Sequence, residues 1–233
     1  MSKRKPRTGF CIYCGQEGIL SRDHIPPKTL FASPRPSNLI TVPCCEPCNV
    51  RASLDDEYFR LVFTTQINTF PHQDACSNWE SVKRSFDIPK KDAFKKSFLD
   101  SLHKMYLFSQ KGEFIAETGK FNIDTHRVKR VIERIVKGLF YHENKIRLTD
   151  NYEVLILTPI DMNNLPGETI NFLKADIFPL FQSVHPKILG REVFIYKVVY
   201  NEIDDNQSVW LLLFYRAVVF LVWILPKHTD PNT

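Results

Sequence analysis

Residues 11–49 read CIYCGQEGILSRDHIPPKTLFASPRPSNLITVPCCEPCN, and a Cys-x-x-Cys motif stands near each end of this stretch. The four cysteines of the two motifs are Cys11, Cys14, Cys45 and Cys48. Two residues between thiolates allow both sulfurs to face one ion, so the paired motifs predict a closed tetrahedral zinc site. Cys44 is a rival ligand, but Cys45 has the correct distance to Cys48. The alternatives are free buried thiols or disulfides at both pairs, and Cys76 is interpreted as an ordinary buried thiol.

Polar residues between and beside these motifs have the chemistry that phosphodiester hydrolysis requires. The reaction needs a base that takes a proton from water and a cation that neutralises charge on the departing oxygen. His24, with an ordinary pKa of about 6.5, can be a neutral base at pH 7. The oxygens of Asp23 and Asn49 are hard ligands that suit Mg²⁺ or Mn²⁺. The alternative for the Asp23-His24 pair is a hydrogen-bonded turn without a catalytic role.

The order of these residues resembles the HNH endonuclease family. The matching pattern is C-x-x-C, then D-H-I-x-P, then N-L, then C-x-x-C-N, and it covers residues 11–53, less than a fifth of the chain. The resemblance implies a ββα-metal fold with a zinc-binding clip. It also implies that His24 is the general base and that Asp23 and Asn49 bind the catalytic ion. By the same resemblance, Asn38 orders the loop that orients the base.

The last position of the pattern departs from many members of the family, which have histidine where this chain has Asn49. Asparagine is the weaker ligand for transition metals, so the resemblance implies Mg²⁺ or Mn²⁺ rather than Ni²⁺ or Zn²⁺ at the catalytic position. A second helical ligand four residues later would be Ser53, which is a poor one. Asp56 is a possible substitute, although an acid near a helix N-terminus is its more ordinary interpretation.

The sequence predicts an α+β fold in two parts. Residues 1–66 are expected to form a small zinc-stapled ββα-metal (HNH) module, and residues 67–233 a mixed helical and antiparallel-sheet region that binds substrate or a partner. Six of the fifteen prolines lie within residues 26–47, so long elements are not expected there and a metal would have to stabilise the module. The elements expected in the module are strands around Ile19–Arg22 and Leu39–Val42 and a helix from about Pro47 or Ser53 to about Gln66.

Apolar periodicity and turn residues predict the elements of residues 67–233. The expected helices are Lys90–Phe108, Asp124 to about His142, and Thr169–Phe181. The expected strands are a hairpin over Phe114–Ile123 that turns at Gly119-Lys120, and then Tyr152–Leu157, Glu192–Tyr200, Ser208–Tyr215 and Ala217–Leu225. A repeating unit is not visible, so this region is read as one α+β unit behind the cysteine module.

Positive charge is concentrated in the middle of the chain. The net charge is +5, and residues 83–149 contain 16 Lys/Arg against 8 Asp/Glu. On the helix that follows Asp124, four basic residues project to one side, opposite the apolar stripe: Arg127, Arg130, Arg134 and Lys137. Such a row is able to follow a phosphate backbone, although a solvated face is the ordinary interpretation. Lys28 and Arg51 flank the proposed centre and are expected to hold the scissile phosphate.

The chain is expected to be cytoplasmic and not to insert in a membrane. No apolar stretch follows the basic residues at its start before Cys11, so a signal peptide is not predicted. The apolar run Val209–Leu225 has Arg216 near its middle, where insertion would cost about 2.5–3.5 kcal/mol. Its Val, Phe, Trp and Leu content favours two buried strands that meet near Arg216.

Three functions fit these observations. The favoured one is a metal-dependent HNH endonuclease that hydrolyses DNA, with structural Zn²⁺ and catalytic Mg²⁺ or Mn²⁺. The second is a catalytically inactive zinc-stapled module that binds nucleic acid or acts as an adaptor. The third is an RNase with the same chemistry, since the motif recognises the phosphodiester and not the sugar. DNA is therefore the expected partner ahead of RNA, with a protein partner possible through residues 67–233.

Overall fold

The chain begins with a three-stranded antiparallel sheet followed by a long helix. A computed structural model of the protein describes residues 7–85, 96 and 98–227. Its first elements are β1 (Arg7–Phe10), β2 (Glu17–Ile25), β3 (Ile40–Cys45) and α1 (Glu46–Thr64), with the strand order β1-β2-β3. Both predicted strands are confirmed and are longer than expected. The predicted helix is also confirmed, and it begins beside Pro47 because Cys45 is extended and proline is favoured in a first turn.

Residues 73–85 form a helix and residues 103–120 a two-stranded sheet, and here two sequence predictions are wrong. The elements are α2 (Gln73–Ser85), β4 (His103–Phe108) and β5 (Phe114–Lys120), with β4 and β5 antiparallel. The helix predicted over Lys90–Phe108 is wrong from residue 103 onward, and its residues 90–95 and 97 lie outside the described residues. The hairpin predicted over Phe114–Ile123 is wrong because the chain turns before residue 114. Gly112, with φ of +82°, reverses the chain there, so the aromatic-rich segments on either side pair with each other.

The central helix, α3 (Thr125–Asn144), confirms the helix predicted after Asp124. The Asp124 side chain accepts a hydrogen bond from the backbone N–H of Arg127 and so caps the first turn. The helix ends at Lys145, which has left-handed backbone angles. Its apolar stripe is buried as predicted: Val128, Val131, Ile132, Ile135, Val136 and Leu139.

The last part of the chain forms a five-stranded antiparallel sheet. Its elements are β6 (Tyr152–Leu157), α4 (Pro159–Asn163), α5 (Gly167–Phe172), β7 (Lys187–Leu189), β8 (Phe194–Tyr200), β9 (Ser208–Phe214) and β10 (Val218–Pro226), with the strand order β6-β10-β9-β8-β7. The four strands predicted here are confirmed, and β9 and β10 meet at a turn that contains Arg216. The helix predicted over Thr169–Phe181 is confirmed, although it is not regular α-helix throughout. Regular α-helix ends at Phe172 and is followed by a wider and then a narrower helical turn, the latter containing Pro179.

One hydrophobic core joins the first sixty residues to the last sheet. Phe59 and Phe63 of α1 stack with ring centroids 4.1 Å apart. Both rings also pack against Phe214 of β9, with centroids 5.4 Å away in each case. Ile25 of β2 and Val136 of α3 are fully buried in the same cluster. The cysteine-containing sheet is therefore attached to the rest of the protein through shared apolar packing.

A membrane-spanning helix is not found within the described residues, since none of their helices is long and apolar enough to cross a bilayer. The apolar run over residues 209–225 forms β9 and β10 instead.

Gly138 of α3 lies against the side chain of Ile25 of β2, and Gly138→Ala is expected to lower the free energy of unfolding by about 1–3 kcal/mol. An added Cβ would lie 2.6 Å from Cγ1 of Ile25, a fully buried side chain. Alanine favours helix by up to about 1 kcal/mol, which does not offset this overlap. Gly167→Ala is the control, because its Cβ would meet no atom of the described residues within 4 Å. Urea denaturation measures both changes, and an unchanged or higher stability of Gly138→Ala would contradict the prediction.

Candidate functional site

The four cysteines of the two motifs lie together. One Sγ atom from each of Cys11, Cys14, Cys45 and Cys48 is within 4.8 Å of all the others. The Sγ atoms of Cys14 and Cys45 are 3.8 Å apart. A zinc–sulfur distance of about 2.3 Å gives a tetrahedron whose sulfurs are about 3.8 Å apart, so this separation suits the ion. The cluster could therefore hold a metal such as zinc, as the spacing of the motifs predicts.

Local backbone geometry brings the cysteines to one point. In the first motif, Gly15 donates its N–H to the carbonyl of Cys11 at 2.8 Å, and its φ of +72° lets the chain turn back. In the second, Cys45 ends β3 and Cys48 lies in the first turn of α1. A strand end and a helix start thus present two sulfurs in the direction of the first motif.

The thiol of Cys11 is adapted to the thiolate form. Its burial raises the pKa, but hydrogen bonds from the backbone N–H groups of Cys14, Cys45 and Tyr13 outweigh this and lower the pKa to about 6. The pKa of Cys48 in the same cluster is instead raised, first by burial. Since metals bind the thiolate, the environment of Cys11 favours a metal ligand.

Two further cysteines lie outside the cluster. Cys44 is buried, donates to the carbonyl of Cys45 at 3.2 Å and has a pKa raised by burial and by Asp23. The prediction that Cys45 is the ligand and Cys44 is not agrees with this arrangement. Cys76 is exposed and donates to the carbonyl of Phe70 at 3.0 Å, so its interpretation as a buried thiol is wrong. It stands on the outer side of the first turn of α2.

Asp23 and His24 are consecutive residues of β2 and so project to opposite faces of the sheet. Asp23 is 5% exposed, and its Oδ2 accepts a hydrogen bond of 2.7 Å from the hydroxyl of Tyr13. His24 is half-buried. Burial lowers the pKa of His24, and the positive charges of Lys28 and Arg35 lower it further, while Asp23 acts in the opposite direction. Burial and these positive charges therefore favour the neutral imidazole, the form that a general base requires.

Arg134 of α3 is the cation next to Asp23. Its Nε lies 3.3 Å from Oδ2 of Asp23, and its Nη2 donates to both oxygens of Asp56 at 2.7 Å. Burial raises the pKa of Asp56 to about 6, while the charge of Arg134 acts to lower it. Asp56 is near the middle of α1, so its interpretation as an acid at the helix N-terminus is wrong. Its role in the fold is to hold Arg134 beside Asp23.

The two predicted asparagines occupy different places. Asn38 donates to the carbonyl of Ile188 at 3.2 Å and accepts from the N–H of Gly190 at 3.4 Å, so it attaches the loop between β2 and β3 to β7. Asn49, in the first turn of α1, donates to Oγ of Ser21 at 3.3 Å. Ser21 and Asp23 share one face of β2, and residues two apart on a strand are separated by about 7 Å. The structure thus brings Asn49 to the same face as Asp23, one position along.

The same loop is held at a second point. The carbonyl of Leu30 accepts hydrogen bonds from Asn78 of α2 at 2.5 Å and from the hydroxyl of Tyr215 at 2.7 Å. Leu30 itself is fully buried. Residues from beyond the cysteine region thus fix the loop that follows His24.

The basic row predicted on α3 faces α1. Arg127 and Arg130 both contact Asp55, each with its Nε 2.8 Å from a carboxylate oxygen. Lys137 contacts Glu133 on its own helix at 2.6 Å. The other two predicted phosphate ligands, Lys28 and Arg51, have exposed side chains. Contact of any of these side chains with phosphate remains a prediction.

A cleft of about 360 Å³ lies between α1 and α3. Its lining includes Tyr13, Cys48, Arg51, Arg130, Arg134 and Lys137. The cleft therefore extends from the cysteine cluster to the arginine that contacts Asp23.

Sequence reasoning missed Tyr13, Asp55 and the inward role of Arg134. Tyr13 lies inside a Cys-x-x-Cys motif, which does not specify the residues between the two cysteines. One signal was available, because the adjacent acids Asp55 and Asp56 complement the charge of the arginine row.

Comparison with models of protein families, with curated proteins and with solved structures gives no match.

Proposed function

We propose that this chain is a metal-dependent endonuclease of the HNH type that hydrolyses DNA. One observation supports this most: the strand–loop–strand–helix unit from β2 to α1 carries Asp23, His24, Asn38 and Asn49 in that order, beside a four-cysteine cluster. Residues with the chemistry of hydrolysis are thereby gathered on one small unit, with His24 and Asp23 on opposite faces of its sheet.

His24 is the proposed general base. Its neutral, half-buried imidazole is able to accept a proton from a water molecule that attacks phosphorus. The same positive charges that lower its pKa, on Lys28 and Arg35, attract a phosphate to this face of the sheet. Asn38 positions this site indirectly, through the loop that it attaches to β7.

Two metals with different ligands are proposed. The four thiolates suit a closed structural Zn²⁺ site. The oxygens of Asp23 and Asn49 suit a hard divalent ion, Mg²⁺ or Mn²⁺, which when bound would neutralise charge on the departing oxygen. Arg134 at present neutralises Asp23, so an ion at this carboxylate would have to replace that contact.

A second candidate function is a zinc-stapled module that binds nucleic acid or serves as an adaptor without cleaving. The observation that favours it is the same contact, because Tyr13 and Arg134 both occupy Oδ2 of Asp23. An RNase with the same centre is the third candidate. The exposed Lys28 and Arg51 would contact the phosphates of either nucleic acid.

Incubation of supercoiled plasmid with the zinc-loaded chain tests the proposal. Cleavage is expected with added Mg²⁺ or Mn²⁺ and not in a parallel reaction without them. Omission of the ion is preferable to EDTA alone, because a chelator also challenges the cysteine cluster. Plasmid that is shifted on a gel but stays intact would favour the non-cleaving module, and cleavage of RNA alone would favour the RNase.

A further inference from the structure

Three aspartates and three arginines neutralise one another where α3 meets α1 and β2. They are Asp23, Asp55 and Asp56 on one side and Arg127, Arg130 and Arg134 on the other. Their charges cancel, so the arginines that would attract a polyanion are already paired with acids. A ligand of this surface has to compete with these internal contacts.

Arg134 is the member of this set with unused binding capacity. Its side chain is 10% exposed, and that of Asp23 is 6% exposed. Among the described residues, the buried Nε of Arg134 has no hydrogen-bond partner, because its contact with Asp23 has the distance of an ion pair without hydrogen-bond geometry. A buried donor without an acceptor is costly, so a ligand that satisfies it would gain affinity.

Arg134 and a divalent ion would compete for the same carboxylate. A cation bound directly to Asp23 would lie within a few ångströms of the guanidinium, which is 3.3 Å from Oδ2. Two positive charges at that separation in a poorly solvated place repel each other strongly. Asp23 is therefore available to an ion only when Arg134 leaves.

The cleft between α1 and α3 gives a phosphate access to Arg134. Four basic side chains line it: Arg51, Arg130, Arg134 and Lys137. Asp55 and Glu133, the partners of Arg130 and Lys137, line it as well. A phosphate group accepts paired hydrogen bonds from a guanidinium as a carboxylate does. It is thus a suitable replacement for Asp56 as the partner of Arg134.

We propose that Arg134 closes the centre at Asp23 and that a nucleic-acid phosphate in the α1–α3 cleft opens it by drawing Arg134 away. Access of a divalent ion to Asp23 then depends on bound substrate. This inference rests on the proposed function, since it concerns the same ion site. By linkage, the ion must in turn strengthen nucleic-acid binding by the same factor.

The test measures that reciprocal effect with a labelled DNA duplex and the full zinc-loaded chain carrying His24→Ala, which prevents cleavage. Fluorescence anisotropy gives the dissociation constant with and without Mg²⁺. Screening alone weakens protein–DNA binding when Mg²⁺ is added. The proposal predicts the opposite sign, a tightening of about 5- to 150-fold. Weakening alone would overturn it.

Arg134→Gln in the His24→Ala chain distinguishes two explanations of such tightening. In one, Arg134 blocks Asp23 until DNA binds; in the other, an ion simply bridges Asp23 and a DNA phosphate. With the competitor removed, Mn²⁺ should bind the DNA-free chain more tightly, and the effect of Mg²⁺ on DNA affinity should shrink. An unchanged effect would overturn the role of Arg134. Lys129→Gln is the matched control, because it also removes one positive charge from α3. The side chain of Lys129 contacts Asp161 and not α1.

Folding of the variants does not decide the outcome. The sign of the Mg²⁺ effect on DNA affinity is measured in the His24→Ala chain, which keeps Arg134 and its contacts between α1 and α3. If Arg134→Gln unfolds the protein, combining it with Asp56→Asn restores the charge balance. Cleavage by the parent chain without this coupling would overturn the inference and leave the nuclease proposal standing. A tightening of DNA binding by Mg²⁺ without cleavage by the parent chain would overturn the nuclease proposal and leave the inference standing.

Discussion

His24→Ala is expected to lower the rate of DNA cleavage by about 10²- to 10⁴-fold, which is the usual contribution of a general base. The neutral imidazole is the proposed acceptor of the proton from water, and alanine has no group that replaces it. His24 is half-buried and lies outside the cysteine cluster, so zinc content and DNA affinity should stay unchanged. Plasmid cleavage, metal analysis and anisotropy measure the three quantities.

The matched control is His126→Ala. His126 is an exposed histidine on α3 and is not part of the proposed centre. Its removal should leave the cleavage rate as it is. If the His24→Ala chain cuts as fast as its parent, the assignment of the base is wrong.

Cys11→Ser is expected to abolish stoichiometric zinc binding and to unfold the cysteine region. Structural zinc contributes about 10–16 kcal/mol of binding free energy in small zinc domains, comparable with the whole stability of a domain, about 5–15 kcal/mol. Cys11 is fully buried, so its serine replacement also leaves a polar group in an apolar place. A loss of even about 4 kcal/mol would lower the melting temperature by about 8–16 °C. Metal analysis and thermal unfolding measure these changes.

Cys76→Ser provides the comparison for this experiment. Cys76 is exposed and lies outside the cluster. Zinc content and melting temperature should both be retained. A Cys11→Ser chain that keeps a full equivalent of zinc would show that another thiol, such as that of Cys44, takes part in the site.

Local sequence patterns predicted the features that depend on residues close together in the chain. The four cysteines, α3 and the pair β9–β10 follow from short spacings, helical periodicity and β-forming composition. The segment over residues 103–120 was mispredicted because its aromatic residues fit helical and strand spacing alike. Gly112 and its turn decide between the two.

The surroundings of Asp23 could not be predicted in the same way. The strand predicted around Ile19–Arg22 ended before Asp23 and His24, which both lie on the longer β2. The motif also does not include Arg134, which is remote in sequence. Helical projection placed Arg134 on the side opposite the apolar stripe. In the structure α1 covers that side by packing against α3. The apolar periodicity of one helix does not indicate which other helix packs against it.

The attachment of the β2–β3 loop to Asn78, Tyr215 and Ile188 has a consequence for how this protein can be divided. A fragment that ends at residue 66 would expose Phe59 and Phe63 to water and would lose the donors that shape the loop after His24. Transplanting the cysteine region to another scaffold therefore means moving α2, α3 and the five-stranded sheet with it. The smallest unit that retains this centre is nearly the whole polypeptide.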